Sequence, residues 1–239
     1  MASDLAVVCG ATGGLGTALV AHFAGRGDRV VAVARNAEEL QALREKGGEA
    51  VRGEQADLTV PDEVEALWRR LEERGDRPRW LVNAVGGYRA GTVETITPEQ
   101  YHSATGLNLE SAWWSCHSAV PRMKDSNGAI VNISSRAALV GGAESAAYSV
   151  AKAGVIRLTE VLAEELLESA LRVNALIPAI IDTPENRESM GAKTMEKAVA
   201  PEAIAEVVGF LCSEASDAIT GAAVPVYGRF PKARLPKGG

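Results

Sequence analysis

A chain of 239 residues with 46% hydrophobic and 23% charged residues has the composition of an ordinary globular protein, which argues against disorder, collagen-like sequence and coiled coil. A formal charge of −6 offers no field for holding nucleic acid or anionic lipid, so neither is an expected partner. The three cysteines, Cys9, Cys116 and Cys212, have no CxxC spacing, which indicates neither a disulfide framework nor a zinc site.

Short apolar runs alternate with amphipathic segments along the chain. Runs at 5–9, 29–34, 79–85, 129–134, 171–177 and 222–226 read as buried parallel strands. Between them, Pro61-Asp62-Glu63 opens a helix that closes at Arg74-Gly75, with acid at its start and Arg and Gly at its end. Thr97-Pro98-Glu99-Gln100 opens another, with a Thr cap, Pro at the first helical position and Gln where a capping box needs it. The alternation predicts an α/β fold with a doubly wound parallel sheet in three layers. One domain is expected over 1–228, with a short lid at about 184–200 and a C-terminal tail, 229–239, carrying Arg229, Lys232, Arg234 and Lys237 without an acid. No apolar stretch approaches the ~18 residues of a membrane span and no basic leader is present, so a cytoplasmic chain is expected.

The first strand runs directly into GATGGLG, Gly10 to Gly16. A glycine-rich turn between a strand and a helix brings backbone N–H groups and a helix N-terminus up to a pyrophosphate, where Cβ atoms would obstruct. Gly10, Gly13, Gly14 and Gly16, with Thr12 and Leu15, are therefore candidate cofactor contacts. Gly10, Gly14 and Gly16 satisfy GxxxGxG, while Gly10, Gly13 and Gly16 satisfy GxxGxxG. The second strand ends at Ala34-Arg35. An acid there would accept hydrogen bonds from ribose hydroxyls and repel a 2′-phosphate, whereas Arg35 offers that phosphate a charge-assisted fork, so NADP(H) is preferred over NAD(H).

The helical segment 145–168 places Tyr148 and Lys152 four residues apart, on one face. Lowering a tyrosine pKa from ~10 to near neutrality takes roughly 4 kcal/mol. An ammonium ~4 Å away supplies about that much at an effective dielectric of 20.

These features together resemble the short-chain dehydrogenase/reductase family, in its shorter, single-domain branch with a Rossmann-type sheet. Its Tyr-x-x-x-Lys motif is matched by Tyr148-Ser149-Val150-Ala151-Lys152, and its catalytic serine by Ser135, thirteen residues before the tyrosine, with Ser134 the less favoured neighbour. Its helical asparagine is matched by Asn108, its Asn-Asn-Ala-Gly by Asn83-Ala84-Val85-Gly86, and its Pro-Gly followed by Thr by Pro178 through Ile181 to Thr183. Asp57, with Leu58 beside it, falls where the family contacts adenine. The match covers residues 5 to 228, and the 56 residues after Thr183 favour the shorter branch, since the longer one carries a large C-terminal substrate region.

By this resemblance Tyr148 exchanges a proton with the substrate oxygen, Lys152 depresses the tyrosine pKa and holds the nicotinamide ribose, Ser135 hydrogen-bonds the substrate oxygen, and Asn108 holds a water linking Lys152 to solvent. Tyr88 and Arg136 are candidate substrate contacts beside the catalytic serine. The implied activity is NADPH-dependent reduction of a carbonyl or comparable conjugated group of a small molecule. The alternatives are a dihydropteridine- or quinone-type reductase and a non-catalytic NADP(H)-binding regulator. Several positions depart from the family pattern: Cys9 replaces a Thr, Ala84-Val85 replaces Asn-Ala, Ala179 replaces a Gly, and the lid is short. Trp113-Trp114 and the apolar face of 148–170 fall on the helices the family uses for subunit contact, implying a homodimer or homotetramer. His22, His102 and His117 form no pair at metal-ligand spacing, so no metal is expected.

Overall fold

The structure is a computed structural model that describes residues 4–230, so Lys232, Arg234 and Lys237 of the basic tail lie outside the described residues. Seven strands, β1 (Leu5–Cys9), β2 (Arg29–Ala34), β3 (Val51–Gln55), β4 (Trp80–Asn83), β5 (Ala129–Ile133), β6 (Arg172–Pro178) and β7 (Ala223–Val226), form one sheet in the order β3-β2-β1-β4-β5-β6-β7. Every neighbouring pair is parallel. The chain moves outward from β1 to β3 and then restarts beside β1 at β4, so the connections leaving β1 and β4 diverge and open a crevice at the carboxyl ends of the strands.

The helices are α1 (Gly14–Gly25), α2 (Ala37–Gly47), α3 (Pro61–Glu73), α4 (Pro98–Thr105), α5 (Ser111–Met123), α6 (Ala146–Glu165), α7 (Pro184–Ser189), α8 (Ala192–Met195) and α9 (Pro201–Cys212). Successive strand residues point to opposite faces, and the core divides accordingly. Ala6 and Val8 pack on one side with Leu19 and Phe23 of α1, Leu40 of α2 and Val208 of α9. Leu5, Val7 and Cys9 pack on the other with Leu67 and Trp68 of α3 and Met123 of α5. Each fully buried large side chain contributes about 1.5–3 kcal/mol, so this two-sided burial is what holds the strand ends in register.

The expected helix signals appear as read. Pro61 begins α3, and the chain turns out of it at Gly75 with φ +74°. Thr97 and Gln100 make the reciprocal capping box of α4. The strand reading needs one correction. Val51-Arg52-Gly53-Glu54-Gln55 forms β3, which the apolar runs do not reveal. It is a sheet edge with two half-exposed positions and one exposed, and its polar groups are used laterally: Arg52 pairs with Asp76, and Glu54 pairs with Arg70 and Arg74. Charge on an edge strand blocks pairing with another chain, so the residues that hide this strand from a hydrophobic pattern suit its position. The third run, 79–85, also ends early, at Asn83, because residues 84–87 leave the sheet to wall the crevice.

Candidate active site

The glycine turn forms the first wall of the crevice. The N–H groups of Gly10 and Ala11 bond to the Val33 carbonyl at 2.9 and 3.0 Å, tying the turn to the end of β2. Gly10 has φ +78°, and a Cβ there would lie 2.9 Å from the Val85 nitrogen. A Cβ on Gly16 would lie 2.0 Å from the Gly10 carbonyl oxygen, so helix and turn approach as closely as only glycine permits. α1 begins after Gly13 with no side-chain cap and no acid in its first turn, leaving its opening N–H groups to an external anion.

Beside this turn lies a chamber of about 210 Å³ lined by Gly10, Thr12, Gly13, Arg35, Asp57, Leu58, Ala84 and Gly86. Arg35 is largely exposed, with one guanidinium nitrogen 4.0 Å from the Asp57 carboxylate. Burial works against the Asp57 charge, but hydrogen bonds from the Thr59 side chain and backbone, together with Arg35, hold its carboxyl below the usual range. Ala34, Thr59 and Leu107 also line this chamber. They carry no sequence signal, since only the fold brings them there.

Through Gly13 and Ala84–Gly86 the chamber meets a larger one, about 660 Å³, whose wall includes Gly14, Leu15, Gly16, Tyr88, Ser135, Arg136, Tyr148, Lys152, Pro178, Ile181 and Thr183. Ser135 follows β5, and its oxygen accepts from the Ala137 N–H at 3.2 Å. It shares the chamber wall with Tyr148, near enough to favour that hydroxyl's ionised form. The Ser134 hydroxyl donates instead to the Lys152 carbonyl at 2.7 Å, which fixes the helix that carries the lysine. Lys152 is 4% exposed, and its ammonium donates to the Ile133 carbonyl at 3.0 Å and the Val85 carbonyl at 3.4 Å. Burial lowers its pKa to about 8.

Burial pushes the Tyr148 hydroxyl above its ordinary value, opposed in part by Ser135.

Asn108 sits in a five-residue π-helical segment, Gly106–Glu110, between α4 and α5. Its amide donates to the carbonyls of Gly87 and Ala104, both at 2.9 Å, and its oxygen accepts from the Gly87 N–H at 3.1 Å. The side chain therefore clamps the strap at Gly87. A Cβ on Gly86 would lie 2.9 Å from the Asn108 oxygen and 3.0 Å from the Lys152 nitrogen, so Gly86 is the spacer between them. Asn83 does not reach the crevice. It is buried and donates to the Asn132 oxygen at 2.8 Å and the Cys116 sulfur at 3.4 Å, a cross-strand link beneath the site. Cys9 is likewise turned inward, with its sulfur 3.7 Å from the Ser115 hydroxyl.

Thr183 caps α7 by accepting from the Asn186 N–H, and its methyl packs so closely on Gly14 that a Cβ there would lie 2.6 Å from it. The lid segment is anchored to its base by Asp182 N–H to the Val199 carbonyl and Val199 N–H to the Ile180 carbonyl, both 2.8 Å. Neither α7 nor α8 buries a residue. Val140, Met190 and Phe230 complete the larger chamber, and nothing in their sequence context marks them.

The family model described as enoyl-(acyl carrier protein) reductase matches residues 10–228. The chain belongs to the short-chain dehydrogenase/reductase family. It is 34% identical to the uncharacterized short-chain type dehydrogenase/reductase y4vI of Sinorhizobium fredii, over 97% of this chain but 44% of that protein's length. It is 30% identical to the 3-oxoacyl-(acyl-carrier-protein) reductase FabG of Thermotoga maritima, over 93% of this chain and 95% of that one. The crystal structure of a short-chain dehydrogenase/reductase, a glucose/ribitol dehydrogenase from Brucella melitensis, aligns with a TM-score of 0.88 at 29% identity, covering 95% of this chain and 96% of that one. The protein is an oxidoreductase of a family that uses a nicotinamide cofactor. The cradle fits such a dinucleotide: the uncapped start of α1, the glycine approaches that a Cβ would fill, and two joined chambers accommodate its halves. No helix is long and apolar enough to cross a membrane, and no group of three or more His, Cys, Asp or Glu residues could hold a metal ion among the described residues.

Proposed function

We propose that this short-chain dehydrogenase/reductase is an NADPH-dependent reductase of a carbonyl, or comparable conjugated group, on a small organic substrate. The observation that carries the reading is the Tyr148–Ser135 hydroxyl pair in the wall of the larger chamber, with Lys152 buried one helical turn away. When bound, the cofactor supplies the hydride. Gly10 through Gly16 and the N-terminus of α1 hold its pyrophosphate, and Asp57 and Leu58 line its adenine end. Arg35, with no acid at its position, favours a 2′-phosphate.

Ser135 donates to the substrate oxygen and stabilises the charge that develops there. Tyr148 gives that oxygen its proton. Lys152 orients toward the ribose and resupplies the proton, while Asn108 keeps the Gly87 strap in place. Residues 1–228 act as one catalytic unit, with 184–200 covering the substrate. Exposed Trp113, Val150, Val161 and Leu167 on α5, α6 and just beyond support association into a homodimer or homotetramer.

The test is consumption of NADPH against a panel of carbonyl, quinone and pterin compounds, with Tyr148→Phe as the control. Turnover in the parent and its loss in the variant are expected. No turnover with any member, or equal rates in both proteins, would sink the reading.

A further inference from the structure

One side chain in the larger chamber has no internal employment. Arg136 follows Ser135 directly and begins the short 3₁₀ turn Arg136–Ala138. Its side chain lines the chamber wall, while its Nε is buried without a hydrogen-bond partner. Among the described residues no carboxylate lies within 4.0 Å of its guanidinium, whereas several other arginines near the strand ends are paired, such as Arg172 with Asp217 and Arg79 with Asp4. A buried guanidinium N–H without an acceptor is costly, and it is relieved when an acceptor arrives.

The neighbouring groups sharpen this. Among the described residues three charged side chains line the chamber: Arg136, Lys152 and Glu185. Lys152 is committed to the Ile133 and Val85 carbonyls. The Glu185 carboxylate lies at the glycine-turn end, 3.5 Å from where a Cβ on Gly14 would stand. Among the described residues Arg136 is therefore the one free charge beside the reacting pair. A second buried donor without a partner, the Tyr227 hydroxyl after β7, lies close enough to feel the Arg136 charge. Tyr88, Val140, Met190 and Phe230 add apolar and aromatic surface to the chamber, with Ser145 and Asn186 as further polar neighbours.

We propose that Arg136 selects the substrate by its carboxylate, making the preferred substrate a small oxocarboxylate whose carbonyl meets Ser135 and Tyr148. This rests on the reductase reading above and names its substrate class. The Cα atoms of Ser135 and Arg136 stand about 3.8 Å apart, so hydroxyl and guanidinium serve two groups of one small molecule. The planar fork of arginine matches a carboxylate through its two terminal nitrogens. In the reaction the carbonyl carbon gains a hydride from NADPH, the carbonyl π bond opens onto oxygen, and that oxygen takes the Tyr148 proton. The products are the hydroxycarboxylate and NADP⁺, and solvent returns one proton to the tyrosine.

The experiment measures kcat/KM for a series of 2-, 3- and 4-oxocarboxylates and their methyl esters, in the parent, Arg136→Gln and Arg136→Lys, each variant checked by circular dichroism. The parent should favour acids over esters. Arg136→Gln should reduce that preference about 30-fold, mainly through KM, with Arg136→Lys recovering part of it. An equal loss for acid and ester, or a parent that prefers esters, overturns the proposal while leaving the reductase reading intact. Calorimetric binding of benzoate in the presence of NADP⁺ supplies a readout independent of turnover. Binding that Arg136→Gln abolishes supports the carboxylate site even if no panel member is reduced, and absence of binding in the parent, or binding unaffected by the substitution, counts against it.

Discussion

The two halves of the crevice are built from different materials. The nucleotide half is backbone: Gly10 and Gly16 stand where a Cβ would strike other main-chain atoms, and the turn hangs from the Val33 carbonyl. The substrate half is side chain: Tyr88, Arg136 and Met190 project from connections that bury little, and α7 and α8 bury nothing. Specificity can therefore change in one half more readily than in the other. A backbone cradle tolerates almost no substitution and serves every member of the family, whereas side chains on short exposed connections can be exchanged without touching the sheet.

Tyr148 stands where the halves meet, and its removal should have the largest effect. Tyr148→Phe keeps the ring that packs edge-on against Tyr88 at 5.4 Å and deletes only the hydroxyl. We expect kcat to fall about 10²- to 10⁴-fold with NADPH affinity nearly unchanged, as read by steady-state kinetics and fluorescence titration. A matching loss of affinity would show that the halves are not separable.

Next in size is the buried lysine. With its folded pKa at about 8 and its unfolded value at 10.5, Lys152 loses its proton in the folded chain while still binding it in the unfolded chain. Across that window the unfolded state holds more protons, so the lysine makes the chain more stable as pH rises from about 8, by up to about 3 kcal/mol. The three buried cysteines, pushed up to about 12, act in the opposite direction above pH 9. The prediction is therefore a difference: denaturant unfolding of parent and Lys152→Met should diverge with pH, the parent gaining relative to the variant from pH 8 to 10.5. Parallel curves would mean that the ammonium is not desolvated.

Gly16→Ala tests the nucleotide half. Its Cβ cannot be placed without displacing the Gly10 carbonyl, so a stability loss of about 1–3 kcal/mol and weaker NADPH binding are expected, with the choice among carbonyl substrates unchanged. The smallest effect is that of Arg35→Ala. Its exposure limits the loss to about tenfold in NADPH affinity, with little change for NADH. Equal effects on both cofactors would remove Arg35 from phosphate recognition.

How much of this the sequence reveals follows the same division. The strand–helix alternation, the glycine turn and the Tyr148–Lys152 spacing are local patterns, and each appears in the structure where it was read. β3 escaped because an edge strand can be polar and still pair. Asn83 was read as a cofactor contact, and the fold turns it inward to Asn132 because the last residue of β4 faces the helical layer. The Lys152 contacts escaped because spacing brings the lysine to the same face as Tyr148 without saying that carbonyls of β5 and the strap accept from its ammonium. The free Nε of Arg136 has no sequence signature at all, since a missing partner is a property of the assembled site.

The most direct test of the central claim follows the hydride itself. NADPH deuterated at nicotinamide C4 is incubated with the parent and a reducible carbonyl substrate, and the product is analysed by mass spectrometry. The account predicts an alcohol one mass unit heavier than the product made with ordinary NADPH, with the label on the former carbonyl carbon and from one face of the nicotinamide only, and far slower formation with Tyr148→Phe. Product without the label, or labelled product formed as fast by Tyr148→Phe as by the parent, would contradict it.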